Sequence, residues 1–207
     1  MQQDFILLDR SGSMETRWLE AISSINAYVA KLAEDNVETG VTLAAFDHNI
    51  GQMSFDVIRD RAVPREWRKV SIDECGPRGG TPLNDAIIRI VAMARVGNPD
   101  KVAIIIMTDG AENSSREDRN GVIAKGMLNE CRAKGWQVIM LGADFDNARQ
   151  AASYDNAPRF TVSSVAGQHV NSTRMMASKR AAYGSGAAAT MSFSDEEKEE
   201  LSKKKAP

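Results

Sequence analysis

The chain has 207 residues, of which 43% are hydrophobic and 26% charged, with a formal net charge of −2 and a pI near 5.8. This length and apolar fraction are enough for one domain with a substantial core. The slightly acidic balance disfavours a general nucleic-acid binder, which usually has a basic face. Two cysteines do not make a disulfide framework. With no secretory leader pattern and no run long enough to span a membrane, we expect a cytoplasmic protein without membrane association.

The hydrophobic pattern predicts strands alternating with helices. In chain order these are a strand over 3–8, a helix over 16–34, a strand over 41–46, a hairpin turn at 47–49, an edge strand over 53–63, a helix over 83–96, a strand over 102–108, a helix over 117–134, a strand over 138–141, a short helix over 146–154, a strand over 160–162 and a helix over 167–183. The strand over 102–108 is the most apolar one and shows no alternation, so it is expected to be central. This alternation predicts an α/β fold: a doubly wound, mostly parallel, Rossmann-like sheet with one antiparallel edge strand and helices on both faces.

The loops and the C-terminal segment carry weaker signals. Residues 64–81 read as loop, with one short strand near 70–72. From Gly184 the composition changes to that of a flexible linker, and a charge-dense stretch follows a capping-box pattern at 194–197. We therefore divide the chain into a domain over 1–183 and a linker with a solvated, charged tail over 184–207. The alternative is a short helix that docks on another chain through Met191 and Phe193.

Three segments place small oxygen-bearing side chains directly after apolar runs or a glycine loop. Asp9, Ser11 and Ser13 follow the first strand, Thr81 follows Gly79-Gly80 before a helix, and Asp109 follows the apolar strand over 102–108. In an open parallel sheet, ligands collect at the carboxyl ends of the strands, where the strand order reverses. Carboxylate and hydroxyl oxygens suit hard cations. The pattern therefore predicts a site for Mg²⁺ or Mn²⁺ with these five side chains as ligands.

The charge of this set indicates what the ion is for. Two carboxylates and three hydroxyls roughly neutralise a divalent ion, and the ion stays positive if one aspartate binds through water. Helices expected to begin near Thr16 and Pro82 would aim positive dipole ends at the same rim and attract an anion. The site is thus suited to accept an Asp or Glu side chain of a partner protein.

In order and spacing, the segments Asp9-Arg10-Ser11-Gly12-Ser13, Gly80-Thr81-Pro82 and Thr108-Asp109-Gly110 resemble the metal-ion-dependent adhesion site of the von Willebrand factor type A domain. All five motif positions match, and the resemblance covers roughly residues 3 to 165. It implies a doubly wound sheet with one antiparallel edge strand and a module that binds partner proteins through its metal. It also implies a bacterial or phage protein of the intracellular type, since such relatives are often intracellular and some work beside AAA+ ATPases.

Two other functions stay open. A Mg²⁺-dependent hydrolase such as a phosphatase would use Asp9 as its nucleophile. Against it, Ser11 stands where a haloacid-dehalogenase type of phosphatase needs a second aspartate, and neither a lysine at a matching strand end nor a histidine base is apparent. A structural subunit of a larger assembly, with an unused metal site, is the other alternative. We otherwise expect a protein that is not an enzyme.

The remaining polar residues near the predicted rim favour ordinary structural roles. Residues 112–115 read as a solvated loop, and Asp144 and Asp146 as turn and cap residues. Arg10 and Arg78 flank the site and either contact an acidic partner or face solvent. No histidine has a partner at zinc-ligand spacing. Two expectations concern the thiols: Cys131 is buried, and Cys75 is partly exposed.

Overall fold

We describe residues 2–142, 145–165 and 167–203 of a computed structural model of the chain, without the side chains of residues 145–148. The strands of this part are β1 (Gln2–Asp9), β2 (Gly40–Asn49), β3 (Gln52–Ala62), β4 (Lys101–Met107), β5 (Gln137–Gly142) and β6 (Thr161–Ser163). The α-helices are α1 (Trp18–Glu34), α2 (Leu83–Arg95), α3 (Val122–Ala133), α4 (Phe145–Ser153), α5 (His169–Ser185) and α6 (Asp195–Ser202). Short 3-10 helices lie at Gly12–Arg17, Pro64–Glu66 and Pro158–Phe160.

The strands form one sheet in the order β3-β2-β1-β4-β5-β6. All neighbours pair in parallel except β3, which pairs antiparallel with β2 at the edge. The predicted α/β fold with a single antiparallel edge strand is therefore confirmed. From β1 the chain winds first through β2 to β3 and later through β4 to β6 on the other side. The strand order thus reverses between β1 and β4, where a crevice opens at the carboxyl ends.

Helices cover both faces of the sheet, so β1 and β4 are buried on both sides. In β1, Ile6 and Leu8 belong to the core cluster that includes α1 and α5, whereas Phe5 and Leu7 belong to the cluster that includes α2 and α3. Because neither face of β1 contacts solvent, its residues 5–8 are all apolar and do not alternate with polar ones. This rigid core holds the two strand ends that carry Asp9 and Asp109. Among the described residues, no helix combines the length and apolarity needed to cross a membrane.

The predicted hairpin turn at 47–49 is wrong by a few residues. Strand β2 continues through Asn49, which pairs with Gln52, and the turn consists of Ile50 and Gly51. Both turn residues have positive φ, 49° and 78°, as a two-residue type I′ hairpin requires. An isoleucine rarely takes this conformation, so the neighbouring Asp and Asn gave the stronger, misleading turn signal. The short strand expected at 70–72 is also absent, because the Val70 N–H donates to the Asn26 side chain instead of to a neighbouring strand.

The C-terminal segment does not follow the expectation of a solvated tail over its described part. Met191 is 0% exposed and Phe193 3% exposed, and with Leu201 they join the core cluster of α1 and α5. The capping box predicted at Ser194 forms: Ser194 Oγ accepts from Glu197 N–H, and the Glu197 carboxylate accepts from Ser194 N–H. Side chains two positions apart point to the same side of an extended segment. Met191 and Phe193 can therefore be buried together, and this burial holds the segment on the domain although the residues before it have a flexible composition.

Packing confirms one expectation about the two cysteines and corrects the other. Cys75 is buried and not partly exposed, whereas Cys131 is buried as predicted. In α3 the inward stripe is Ala124, Leu128 and Cys131, and Ile123 is 52% exposed.

Candidate metal centre

The fold brings all five predicted ligand residues to the same edge of the sheet. Asp9 is the last residue of β1, and Asp109 follows β4, which pairs with β1 in parallel register. Ser11 and Ser13 lie at the start of the 3-10 turn that leads into α1, and Thr81 lies two residues before α2. The carboxyl end of the sheet thus collects oxygen donors from three separate segments.

Asp9 is fully buried at this edge. Its Oδ1 accepts the Ser11 N–H at 2.7 Å, and its Oδ2 accepts the Thr108 hydroxyl at 2.6 Å. Burial raises the pKa of Asp9 from 3.8 to about 6 against the lowering effect of the hydrogen bonds from Thr108 and Ser11, and the charge of Asp109 raises it further. Burial thus disfavours the charged form, and a cation at this place would stabilise it. Thr108 was not singled out by the sequence pattern, because its role depends on the register between β1 and β4.

The hydroxyls of the first motif link Asp9 to Asp109. Ser11 Oγ and Ser13 Oγ share a hydrogen bond of 3.0 Å. Ser13 Oγ donates to Asp109 Oδ1 at 2.9 Å, and Arg17 Nε lies 3.9 Å from Asp109 Oδ2. The side chains of Ser11, Ser13 and Asp109 are therefore joined by direct hydrogen bonds.

Gly110 reveals where these oxygens converge. A Cβ atom added to Gly110 would lie 2.9 Å from Thr81 Oγ1, 3.2 Å from Ser13 Oγ and 3.5 Å from Asp9 Oδ2. Oxygens from the first and second motif segments thus surround one small space beside Gly110 of the third, and only a glycine leaves that space open. Among the described residues no group of three or more His, Cys, Asp or Glu side chains could hold a metal. The donor set here is instead two carboxylates with hydroxyls, which fits Mg²⁺ or Mn²⁺ and not zinc.

The glycine loop positions Thr81 by close backbone contacts. Gly80 and His48 exchange two backbone hydrogen bonds of 2.9 and 3.0 Å. Gly79 has φ +65°, and a Cβ there would lie 2.0 Å from the His48 carbonyl oxygen. Only glycine fits such an approach. The loop is thereby fastened to the end of β2, next to the Asp9 motif.

The loop at 112–115 is an organised support and not the expected solvated loop. Glu112 accepts hydrogen bonds from the N–H groups of Asn84, Ser114 and Ser115, and from the Ser115 hydroxyl. Asn113 Oδ1 accepts the Thr81 N–H at 2.9 Å. The sequence predicts that the start of α2 attracts an anion, and the Glu112 carboxylate of this chain already lies there in part. A carboxylate that caps a helix about thirty residues away leaves no local pattern in the sequence, which is why it was missed.

The two flanking arginines do not behave alike. Arg10 is only 4% exposed, donates through Nε to Asp47 Oδ1 at 2.8 Å and pairs with Asp56. Arg78 donates to the other Asp47 oxygen at 2.9 Å, with its side chain 46% exposed. Arg10 is thus occupied within the domain and is not available to a partner. Asp144 and the Asp146 side chain, read as turn and cap residues, lie outside the described residues.

Comparison with known proteins gives no matching protein-family model and no matching curated protein. Solved structures do match. A von Willebrand factor type A protein from Catenulispora acidiphila has a TM-score of 0.60 at 15% identity over 86% of this chain and 42% of its own. Manganese-loaded TRAP protein from Plasmodium vivax has a TM-score of 0.54 at 15% identity over 83% of this chain and 71% of its own. The pilus adhesin SpaC from Lactobacillus rhamnosus GG has a TM-score of 0.59 at 15% identity over 88% of this chain and 30% of its own.

This chain thus spans less than half the length of two of these three solved chains. At 15% identity, these structural matches establish a shared fold but no shared activity. The matches agree with the resemblance seen in the three motif segments. The chain has the von Willebrand factor type A fold.

Proposed function

We propose that this chain is a metal-dependent protein-binding module. In this proposal Asp9, Ser11, Ser13 and Thr81 hold a Mg²⁺ or Mn²⁺ ion, and Asp109 binds it directly or through water. The observation that carries the proposal is the convergence of Thr81, Ser13 and Asp9 oxygens on the space beside Gly110. Hard oxygen donors around so small a space suit these ions. The manganese in the Plasmodium protein of the same fold supports the choice of metal class.

A carboxylate of a partner protein completes the metal shell in this proposal. The ion would keep an open position, because four or five protein ligands do not fill its octahedral shell. Since Glu112 already caps part of α2, the attraction for the partner comes mainly from the ion and not from the helix dipole. The adhesin of the same fold fits a role in protein binding. We further propose a reducing, cytoplasmic setting, with which two free, buried cysteines are compatible.

We propose no catalytic role for the site. Both Asp9 oxygens already accept hydrogen bonds, and the side chain is fully buried, which does not suit a nucleophile that must reach a substrate. The Ser11 hydroxyl, at the position of a second catalytic aspartate, is hydrogen-bonded to Ser13. The geometry therefore favours binding over hydrolysis.

The metal is tested by isothermal titration of the chain with MgCl₂ and MnCl₂. We expect binding by the wild type and at least a tenfold loss in Asp9→Asn, since one charged ligand is removed. Asp73→Asn is the matched control, because it removes the same charge from an exposed residue outside the site. Equal binding by Asp9→Asn and Asp73→Asn would contradict the metal assignment. Absence of binding by the wild type would favour the structural-subunit alternative.

The partner is tested by affinity purification from the source cells with Mg²⁺ or with EDTA. We expect specific capture that needs the metal and is lost in Asp9→Asn but not in Asp73→Asn. Mass spectrometry then identifies the partner, an AAA+ ATPase being one class to look for. Substitution of the partner's acidic residues should abolish the metal-dependent part of binding. Capture that survives EDTA unchanged would argue against a partner carboxylate on the ion.

A further inference from the structure

A second surface feature borders the metal centre on the side of β2 and the loop after β4. It is an open cleft of about 520 Å³. Its walls come from the end of β2 and from the loop that supports Thr81, and its lining residues are His48, Glu112, Asn113, Ser114, Ser115, Arg116 and Arg119. Its position at the same edge places it where a chain segment bound at the ion would continue.

The cleft is joined to the metal centre by direct contacts. Asn113 and Thr81 exchange two hydrogen bonds, Thr81 N–H to Asn113 Oδ1 at 2.9 Å and Asn113 N–H to the Thr81 carbonyl at 3.1 Å. A Cβ on Gly80 would lie 2.3 Å from Ser114 Oγ, so the cleft floor lies tightly against the glycine loop. The cleft is therefore a fixed neighbour of a proposed ligand and not a separate part of the surface.

The acidic side chain of the cleft has hydrogen-bond partners, whereas the guanidinium groups of its two arginines have none in the described parts of the chain. The Glu112 carboxylate is engaged by four donors from the backbone and Ser115. Arg116 and Arg119 are exposed, and neither guanidinium forms an ion pair or hydrogen bond within the described parts of the chain. Nearby Arg89, by contrast, pairs with Glu117. Two cations thus face solvent beside the predicted metal, whereas the Glu112 carboxylate of the cleft lining is already held by four hydrogen-bond donors.

We propose that this cleft binds acidic side chains flanking the partner residue that completes the metal shell, so that the partner segment is an acidic peptide with several carboxylates. This inference rests on the proposed function and specifies the partner's chemistry. Arginine guanidinium groups recognise carboxylates through paired hydrogen bonds. Complementary charge across an interface chiefly sets partner choice and association rate, and the two arginines would supply that selectivity where a single carboxylate on the ion would not.

The inference is tested with a fluorescent hexaglutamate peptide and a peptide of the same length that carries one glutamate among Gly and Ser. Anisotropy is measured with the wild type, with Arg116→Gln/Arg119→Gln and with Arg61→Gln/Lys69→Gln, in MgCl₂ and in EDTA. The second double variant removes the same charge from exposed residues away from the cleft. We expect the cleft variant alone to bind hexaglutamate about three- to tenfold more weakly, as exposed charge pairs contribute modestly. The difference should shrink at high salt.

Each outcome has a distinct meaning. Equal hexaglutamate affinity for the two double variants, or no hexaglutamate binding by the wild type, would overturn the inference. Binding that differs between the variants but is the same in MgCl₂ and EDTA would overturn the proposed function, while the acidic selectivity of the cleft would stand. Unchanged affinity of the cleft variant for the single-glutamate peptide, together with unchanged Mg²⁺ binding, is expected and shows that the metal centre itself is intact.

Discussion

Ser13 Oγ donates a 2.9 Å hydrogen bond to Asp109 Oδ1 across 96 positions of sequence. The first residue lies in the turn after β1 and the second in the loop after β4. These strands are neighbours in the sheet, so their ends meet only when the parallel register between them has formed. The contact therefore reports directly on assembly of the candidate site.

Gly110→Ala should abolish metal binding without unfolding the domain. The added methyl group would lie 2.9 Å from Thr81 Oγ1 and 3.2 Å from Ser13 Oγ, in the space assigned to the ion. We expect affinity for Mg²⁺ and Mn²⁺ to fall at least tenfold in isothermal titration, with an unchanged circular dichroism spectrum. Gly126→Ala in α3 is the control, since its Cβ would meet no atom within 4 Å and should stabilise the helix by about 0.5–1 kcal/mol. Retained affinity in Gly110→Ala would place the ion elsewhere.

Phe193→Ala should destabilise the whole domain, although the residue lies in the segment first read as a tail. Its side chain is 3% exposed in the core cluster of α1 and α5. Truncating a buried phenylalanine costs about 3–5 kcal/mol, measurable as a lower urea midpoint. Thr190→Ala, at an exposed position of the same segment, should change stability by less than about 0.5 kcal/mol. Equal stability of the two variants would mean that the segment detaches in solution.

Arg180→Met should be strongly destabilising because it leaves Asp4 buried without its cation. Arg180 Nε lies 2.5 Å from Asp4 Oδ1, and both side chains are 0% exposed. Asp4 also accepts the Tyr28 hydroxyl at 2.8 Å. Removing one partner of a buried pair costs about 3–5 kcal/mol. The double variant Asp4→Asn/Arg180→Met should recover part of that loss in urea unfolding; a double variant no more stable than Arg180→Met would show that the pair's charge is not what matters.

Glu74 should make the stability of the β3 edge depend on acid. The bidentate hydrogen bonds from Arg59, at 2.8 and 2.9 Å, and the Ser71 N–H lower the pKa of Glu74 from 4.5 to about 2. A depressed folded-state pKa means that the contribution is full above pH 4.5 and is lost as the pH falls towards 2. Glu74→Gln should therefore lower the free energy of unfolding by about 1 kcal/mol at neutral pH. This difference should narrow as the pH falls from 4.5 towards 2. Glu66→Gln, which removes the same charge from another exposed position, is the control variant.

Local sequence patterns were sufficient for the order of elements and for the donors at strand ends. The apolar run before Asp9 and the one before Asp109 each identify a buried strand, and a polar residue directly after such a strand must lie at its carboxyl end. The same local logic failed at Ile50, where the β-hairpin geometry overrode the residue's preference. It also failed at Met191 and Phe193, which are buried although the segment was predicted to be a solvated tail. The flexible composition before them gave a stronger signal than these two apolar residues.

The sequence by itself determined the alternation of strands and helices, the antiparallel edge and the five oxygen-bearing residues, since each depends on periodicity or on the residue that follows a strand. Only the tertiary structure decided that Thr108 bonds to Asp9, that Gly110 leaves the central space open and that Glu112 supports the loop beside Thr81. It also decided that Arg10 pairs with Asp47 within the domain, whereas Arg116 and Arg119 face solvent. These features join residues tens of positions apart, and such contacts are set by strand register and packing, which no local pattern encodes.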